Sequence, residues 1–269
     1  MVAGVAGAQT VVAAPGPTEA AAAARPNIVL VLTDDLSWNL VRYLPQVQRL
    51  RSQGMTFTDY VVTDSLCCPS RSSIFTGRFP HDTGVFTNGG NDGGFDFFHS
   101  HGEEANTFAT ALQAQGYRTG MMGKYLNGYQ PADTQGGARP YVPPGWTEWD
   151  VAGNAYSEFN YDLNENHKVV HYGRKPTDYL TDVLAKKGSA FITESARARS
   201  PFLLELATFA PHAPATPAPR DADDFPGLTA PRGPAFDTLP TNAPPWLAGH
   251  PPLTAAEKQN IDTAFRMRA

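Results

Sequence analysis

The chain has 269 residues, of which 41% are hydrophobic, enough for one sizeable core in one or two domains. Its formal net charge is −5 and its Lys and Arg residues form no basic run, which removes the electrostatic case for nucleic acid or an anionic membrane surface. No apolar run is long enough to span a bilayer, and the only two cysteines, Cys67 and Cys68, are neighbours, so neither a disulfide framework nor zinc-ligand spacing is present.

Residues 1–24 are rich in Ala, Gly, Val and Pro and hold no Lys or Arg. A secretory signal carries a basic stretch before its apolar run, so this segment reads either as a low-complexity leader or as the remnant of a signal that starts upstream. The ordered part is predicted from Arg25 onward. Ile28 to Leu32 is a continuous apolar run, the pattern of a strand buried on both faces, and it leads into two adjacent carboxylates, Asp34 and Asp35. Leu44 to Gln53 has helical spacing and stops at Gly54, and the following MTFTDYVVT reads as a strand. A short helix is expected after Pro69, and another over Asn106 to Gln115 with Asn106 as its N-cap.

The segment YRTGMMGKY returns as a strand, Asp178 to Ala198 as a longer amphipathic helix, and PFLLELATFA as a second buried strand. Between them, Tyr156 to Tyr172 reads as a β-hairpin outside the main alternation. Residues 213–252 are Pro-rich, with Phe225, Phe236, Trp246 and Leu247 as anchors for an irregular loop wrapped on the core. Thr254 starts a last helix in which the sequence stops. Strands alternating with helices predict an α/β, doubly wound, mainly parallel sheet flanked by helices and C-terminally incomplete.

Paired carboxylates at the end of a buried strand stand where open α/β sheets place ligands, and hard oxygens suit Ca²⁺ or Mg²⁺; turn or helix capping is the other use of such a pair. The densest local chemistry is C-C-P-S-R at Cys67 to Arg71, continuing as SSIFTGRFPHDTGV, where a thiol, a hydroxyl and a guanidinium meet at a helix start. A cysteine is by default a small buried hydrophobe, and the surrounding string decides against that default here.

These motifs, in this order, resemble the sulfatase family of sulfuric ester hydrolases in the alkaline-phosphatase superfamily, and within it the N-acetylglucosamine-6-sulfatase branch. The pattern C-x-P-S-R is filled by Cys67, Pro69, Ser70 and Arg71, and the match runs on through His81, read as support behind the loop. GKYLN around Lys124, APHAP around His212 and PPGW at Pro143 to Trp146 extend it, so the resemblance covers nearly everything from Arg25 on; Trp146 and Trp149 read as core packing, with lining of a sugar site the other use. It implies that Cys67, not Cys68, is converted to formylglycine by a formylglycine-generating enzyme. The hydrated aldehyde then offers one hydroxyl to attack sulfur and another to expel sulfate. It further implies that Arg71 holds the hydrated aldehyde, that Lys124 and His212 contact sulfate with His212 as acid, and that Asp34, Asp35 and residue 67 bind Ca²⁺ or Mg²⁺. The implied substrates are sulfated sugars or aryl sulfates, and the implied location is extracytoplasmic, secreted or periplasmic.

Residues 25–269 are thus expected to be the N-terminal portion of a sulfatase catalytic domain. The family's distal Asp-Asn metal ligands and second lysine match nothing here, so the chain alone is expected to bind metal weakly and turn over negligibly. Two alternatives stand beside this reading: a phosphonate or phosphate ester hydrolase of the same superfamily, and a non-catalytic fragment that binds sulfated glycans.

Overall fold

The computed structural model describes residues 25–269; the leader assigned to residues 1–24 lies outside the described residues. Six strands, β1 (Ile28–Leu32), β2 (Arg118–Lys124), β3 (Glu148–Ala152), β4 (Tyr161–Glu165), β5 (Lys168–Tyr172) and β6 (Phe202–Ala207), form one sheet in the order β1-β6-β2-β3-β4-β5. The first four positions are parallel and the last two antiparallel. The α helices are α1 (Pro45–Gln53), α2 (Cys67–Thr76), α3 (Pro80–Thr83), α4 (Gly94–Ser100), α5 (Phe108–Ala114), α6 (Leu180–Arg197), α7 (Pro245–Ala248) and α8 (Ala255–Arg268). The expected α/β sheet flanked by helices is what forms, and none of the described helices is long and apolar enough to cross a membrane.

Alternation along β6 divides the core. Phe202 and Leu204 pack with Leu180, Val183, Leu184 and Phe191, which recur on one face of α6 at helical spacing. Ala207, on the other face, joins Met121 with Cys68 and Phe75 of α2 and Phe95 and Phe98 of α4. Each large apolar side chain removed from water contributes about 1.5–3 kcal/mol, so the two clusters clamp the helices onto opposite faces of the sheet.

Several expectations need correction. The Ile28–Leu32 strand forms, but at the sheet edge: Val29 and Val31 are 47% and 59% exposed because β1 pairs with β6 alone among the described residues. The MTFTDYVVT segment forms no strand, and its Met55, Phe57, Tyr60, Val61 and Val62 are exposed. α2 starts three residues earlier than expected, at Cys67, because Pro69 sits in its first turn, where the absent N–H costs nothing. α5 is capped by Thr107 rather than Asn106, through a reciprocal Thr107–Thr110 capping box. The hairpin β4–β5 does not lie apart; β3, which the composition gave no reason to expect, joins it antiparallel to the main sheet. In the Pro-rich stretch Phe225 packs edge-on against Tyr43 at 5.4 Å, whereas Trp246 is 80% exposed and anchors nothing.

Candidate active site

Four loops leave the C-terminal ends of the parallel strands β1, β6, β2 and β3 on one edge of the sheet, the edge where such folds place ligands. The β1 and β6 exits stay paired beyond their strands, through Thr208 N–H to the Leu32 carbonyl at 3.0 Å and Asp34 N–H to the Ala210 carbonyl at 3.3 Å. That pairing sets the two aspartates beside the His212 loop. Asp35 holds φ +59°, a left-handed conformation uncommon for a non-glycine residue and typical of functional turns. Its carboxylate lies 3.5 Å from His212 Nε2. His212 Nδ1 lies 2.7 Å from the Ala213 carbonyl, an acceptor only, so that nitrogen carries the hydrogen and Nε2 faces the site.

Cys67 is the first residue of α2, and Arg71 stands four residues on, one turn along the same face. Both therefore point at Asp34: Cys67 Sγ is 3.9 Å and Arg71 Nη2 3.5 Å from its Oδ1. Arg71 Nη1 also donates to the Lys124 carbonyl at 2.8 Å, tying α2 to the end of β2. Lys124 Nζ donates to Asp34 Oδ2 at 2.5 Å. Burial pulls the Lys124 ammonium down, but the hydrogen bond and charge of Asp34 outweigh it and leave its pKa raised. Gly123 makes this approach possible: its φ is +104°, and a Cβ there would stand 2.0 Å from the Ala207 carbonyl oxygen.

Cys68 turns the other way. Its thiol is fully buried, burial pushes its pKa to about 11, and it accepts from Asn127 N–H at 3.2 Å. Its own backbone N–H donates to Asn88 Oδ1 at 2.8 Å, a cap for the start of α2 supplied from twenty residues away. The two cysteines thus have opposite surroundings: one at the mouth among charges, the other locked in the core.

Ligand atoms of Asp34, Asp35 and Cys67 lie within 4.8 Å of one another, and among the described residues they are the one such group. Two carboxylates offer hard oxygens of the kind Ca²⁺ or Mg²⁺ takes, so the donor chemistry fits a divalent cation, though three donors fall short of the roughly six to eight oxygens Ca²⁺ prefers. The six residues expected at the site, Asp34, Asp35, Cys67, Arg71, Lys124 and His212, are brought together. His81 is not among them: it is exposed and stacked on Phe79 at 5.6 Å. Trp149 is fully buried in the core, as expected for packing. Sequence reasoning missed Asn88, in the turn-rich TNGGNDGG stretch, Tyr156, in the loop after β3, and the brace that Asn127 gives Cys68. Neither Asn88 nor Tyr156 belongs to a periodic or spaced pattern that would have singled it out.

The Sulfatase family model matches residues 26–252. Human N-acetylglucosamine-6-sulfatase is 38% identical over 256 residues, 93% of this chain and 46% of that relative. The extracellular sulfatase SULF-1 homolog of Drosophila melanogaster is 36% identical over 83% of this chain and 20% of its own length. The chain therefore spans about half the length, or less, of these curated relatives. Among solved structures, BT4656 in complex with its substrate D-glucosamine-2-N,6-O-disulfate superposes with a TM-score of 0.60 at 25% identity, over 79% of this chain and 40% of that one.

Proposed function

This chain belongs to the sulfatase family, and from that premise we propose that its site serves sulfate ester hydrolysis, with a sugar as the alcohol and residue 67 as the reacting position. The observation that carries the reading is the ring of contacts around two aspartates: Cys67, Arg71 and Lys124 on Asp34, and His212 on Asp35. Converted to formylglycine and hydrated, position 67 supplies a nucleophilic oxygen and a route for releasing sulfate that a plain hydroxyl lacks. Asp34 and Asp35 would hold the divalent cation, Ca²⁺ or Mg²⁺, whose charge offsets theirs and draws electron density from the ester.

The chain's own groups do the rest. Arg71, fixed at both nitrogens, holds the side chain at 67 on the face of α2 that looks at Asp34. Lys124, charged and nearly dry, offers its remaining N–H bonds to a sulfate oxygen, where low local dielectric strengthens the attraction. His212 presents Nε2 to the mouth, 3.5 Å from the Asp35 carboxylate, where it can donate a proton to the departing alcohol. The α2 N-terminus adds a favourable field for negative charge. The names of the relatives support a glucosamine-type substrate and an extracytoplasmic location.

The test is twofold. Coexpression with a formylglycine-generating enzyme, followed by mass spectrometry of the tryptic peptide spanning residues 52–71, should find the aldehyde on Cys67 and none on Cys68. The converted protein is then assayed on 6-sulfated glucosamine, an aryl sulfate and a phosphonate monoester. Preference for the sulfated sugar supports the reading, binding without turnover points to a glycan-binding fragment, and phosphonate preference replaces the reading with the other hydrolase of the superfamily. Cys67→Ser should abolish release of sulfate in every case where turnover is seen.

A further inference from the structure

Tyr156 lies in the loop after β3, half-buried at the same edge of the sheet, and no step above uses it. Its ring touches both groups assigned to sulfate. Lys124 Nζ stands 5.0 Å from the ring centroid, within reach of a cation–π attraction. The His212 imidazole packs against it at 4.5 Å with the planes inclined 47°. Phe209 meets the same ring edge-on at 5.0 Å and 90°, so the tyrosine is held from behind by the core. At its polar end the hydroxyl accepts from Asn127 Nδ2 at 3.2 Å. Asn127 is in turn fixed by Cys68, whose sulfur accepts the Asn127 backbone N–H at 3.2 Å and faces its Oδ1 at 3.4 Å.

The geometry points to Tyr156 as a positioning residue: its ring fixes the attitudes of Lys124 and His212, and its hydroxyl ties them through Asn127 to the thiol of the unconverted Cys68. The two cysteines then have complementary tasks, one carrying the reacting atom and the other holding the acid and the ammonium in register with it.

The physical reasons are specific. An ammonium on a four-carbon stem has many rotamers; Asp34 restrains it by one hydrogen bond, and the tyrosine face restrains it from a second direction. The imidazole of His212 is held at Nδ1 by Ala213, which leaves it free to tilt about that bond, and the ring of Tyr156 blocks the tilt on one side. A thiol at 68 suits the relay because sulfur hydrogen-bonds at longer distance than oxygen, accepting the Asn127 N–H at 3.2 Å and donating to its Oδ1 at 3.4 Å.

This inference rests on the sulfate-site reading for its purpose, and its test separates the two. The full 269-residue chain is titrated with inorganic sulfate by calorimetry, and the His212 imidazole resonances are recorded at one fixed pH, for wild type, Y156F, Y156L and C68A. Cys68→Ala lies far from His212 along the relay and touches no proposed anion ligand. The expected result is that C68A and Y156F perturb the same His212 resonances, that Y156L weakens sulfate roughly tenfold, and that the Y156F and C68A losses combine non-additively. Resonances of His212 unmoved by C68A, in a protein that keeps its fold by circular dichroism, overturn the relay. A sulfate affinity unchanged in Y156L overturns the positioning of Lys124. If wild type binds no sulfate while C68A still moves His212, the relay stands and the reading of the site as a sulfate site falls.

Discussion

The edge of the sheet around α2 and the flank formed by β1 with residues 54–66 are built from similarly apolar sequence, yet they end in opposite states. At the start of α2 the chemistry-bearing groups are engaged: Asp34 has two cations and a thiol, Cys68 two asparagines, Arg71 a carbonyl and a carboxylate. Along the flank, Val29, Val31, Met55, Phe57, Tyr60 and Val61 face outward. Apolar patterning reports that a segment gains by being covered; it does not say what covers it. Asp34, Arg71 and Cys68 supply that answer on one side, because each has partners at defined distances on other elements.

The sharpest way to break the comparison is to remove the charge at the centre of the closed region. Asp34 is the shared counter-charge of buried Lys124 and Arg71, so Asp34→Asn leaves two cations with little compensation. Losing one partner of a buried ion pair costs about 3–5 kcal/mol. Urea unfolding should show a midpoint lowered accordingly, and an unchanged midpoint would mean that the cations find other acceptors.

A second, slightly smaller effect sits just beneath. Glu205 on β6 faces the α2 side, is fully buried, and neither of its carboxyl oxygens has a hydrogen-bond partner among the described residues. Burial pushes its pKa from 4.5 to about 7, with Arg71 pulling the other way. Since the folded value lies above the unfolded one, the folded state binds the proton more tightly. Its contribution is therefore intact below about pH 4.5 and is lost as pH rises toward 7, by about 3 kcal/mol in all. Glu205→Gln removes the ionisation: the variant should gain stability over wild type progressively from pH 5 to 8, read as a difference in melting temperature at each pH. A constant difference across that range would show that the carboxyl does not titrate there.

These two residues mark the limits of what the sequence makes legible. The strands at Ile28–Leu32, Arg118–Lys124 and Phe202–Ala207 are visible because each is a compact run bounded by breakers or polar turns, and α6 because its apolar residues recur at helical spacing. The site residues were named through motif resemblance, and the helical i, i+4 relation of Cys67 and Arg71 gives that resemblance a physical basis. Glu205 was hidden inside an apolar run, and β3 was hidden by Asp150, a buried carboxylate that Lys187 of α6 neutralises at 2.9 Å. Both require a partner, or its absence, brought from a distant part of the chain. The false strand at MTFTDYVVT fails for the converse reason: its composition is right, but no described strand pairs with it.

Within the closed region the two thiols sharpen the contrast on a smaller scale. Burial moves the Cys68 thiol from 9.0 to about 11, so its thiolate population at neutral pH falls by about a hundredfold before steric exclusion is counted. Iodoacetamide at pH 8 should therefore label Cys67 far faster than Cys68, followed by peptide mass spectrometry. Comparable labelling of both would mean that the start of α2 opens readily, and the brace from Asn88 and Asn127 would be weaker than its geometry suggests.

The smallest effect is expected on the open flank, and it has the opposite sign for handling. Phe57 is 71% exposed in a segment without regular structure, so truncating it removes little packing. Surface substitutions of that kind fall within about 0.5 kcal/mol in either direction. Exposed apolar side chains beside a strand edge nevertheless form a template for association, because among the described residues β1 pairs on one side alone, next to Val29 and Val31. Phe57→Ser combined with Val31→Lys should leave the urea midpoint nearly unchanged while raising the concentration at which the chain stays monomeric in light scattering. Val31→Lys acts at the edge itself, where an inward-reaching charge opposes strand addition. Loss of several kcal/mol in the double variant would show that the flank is packed rather than open, and that the closed and open regions differ less than their exposures imply.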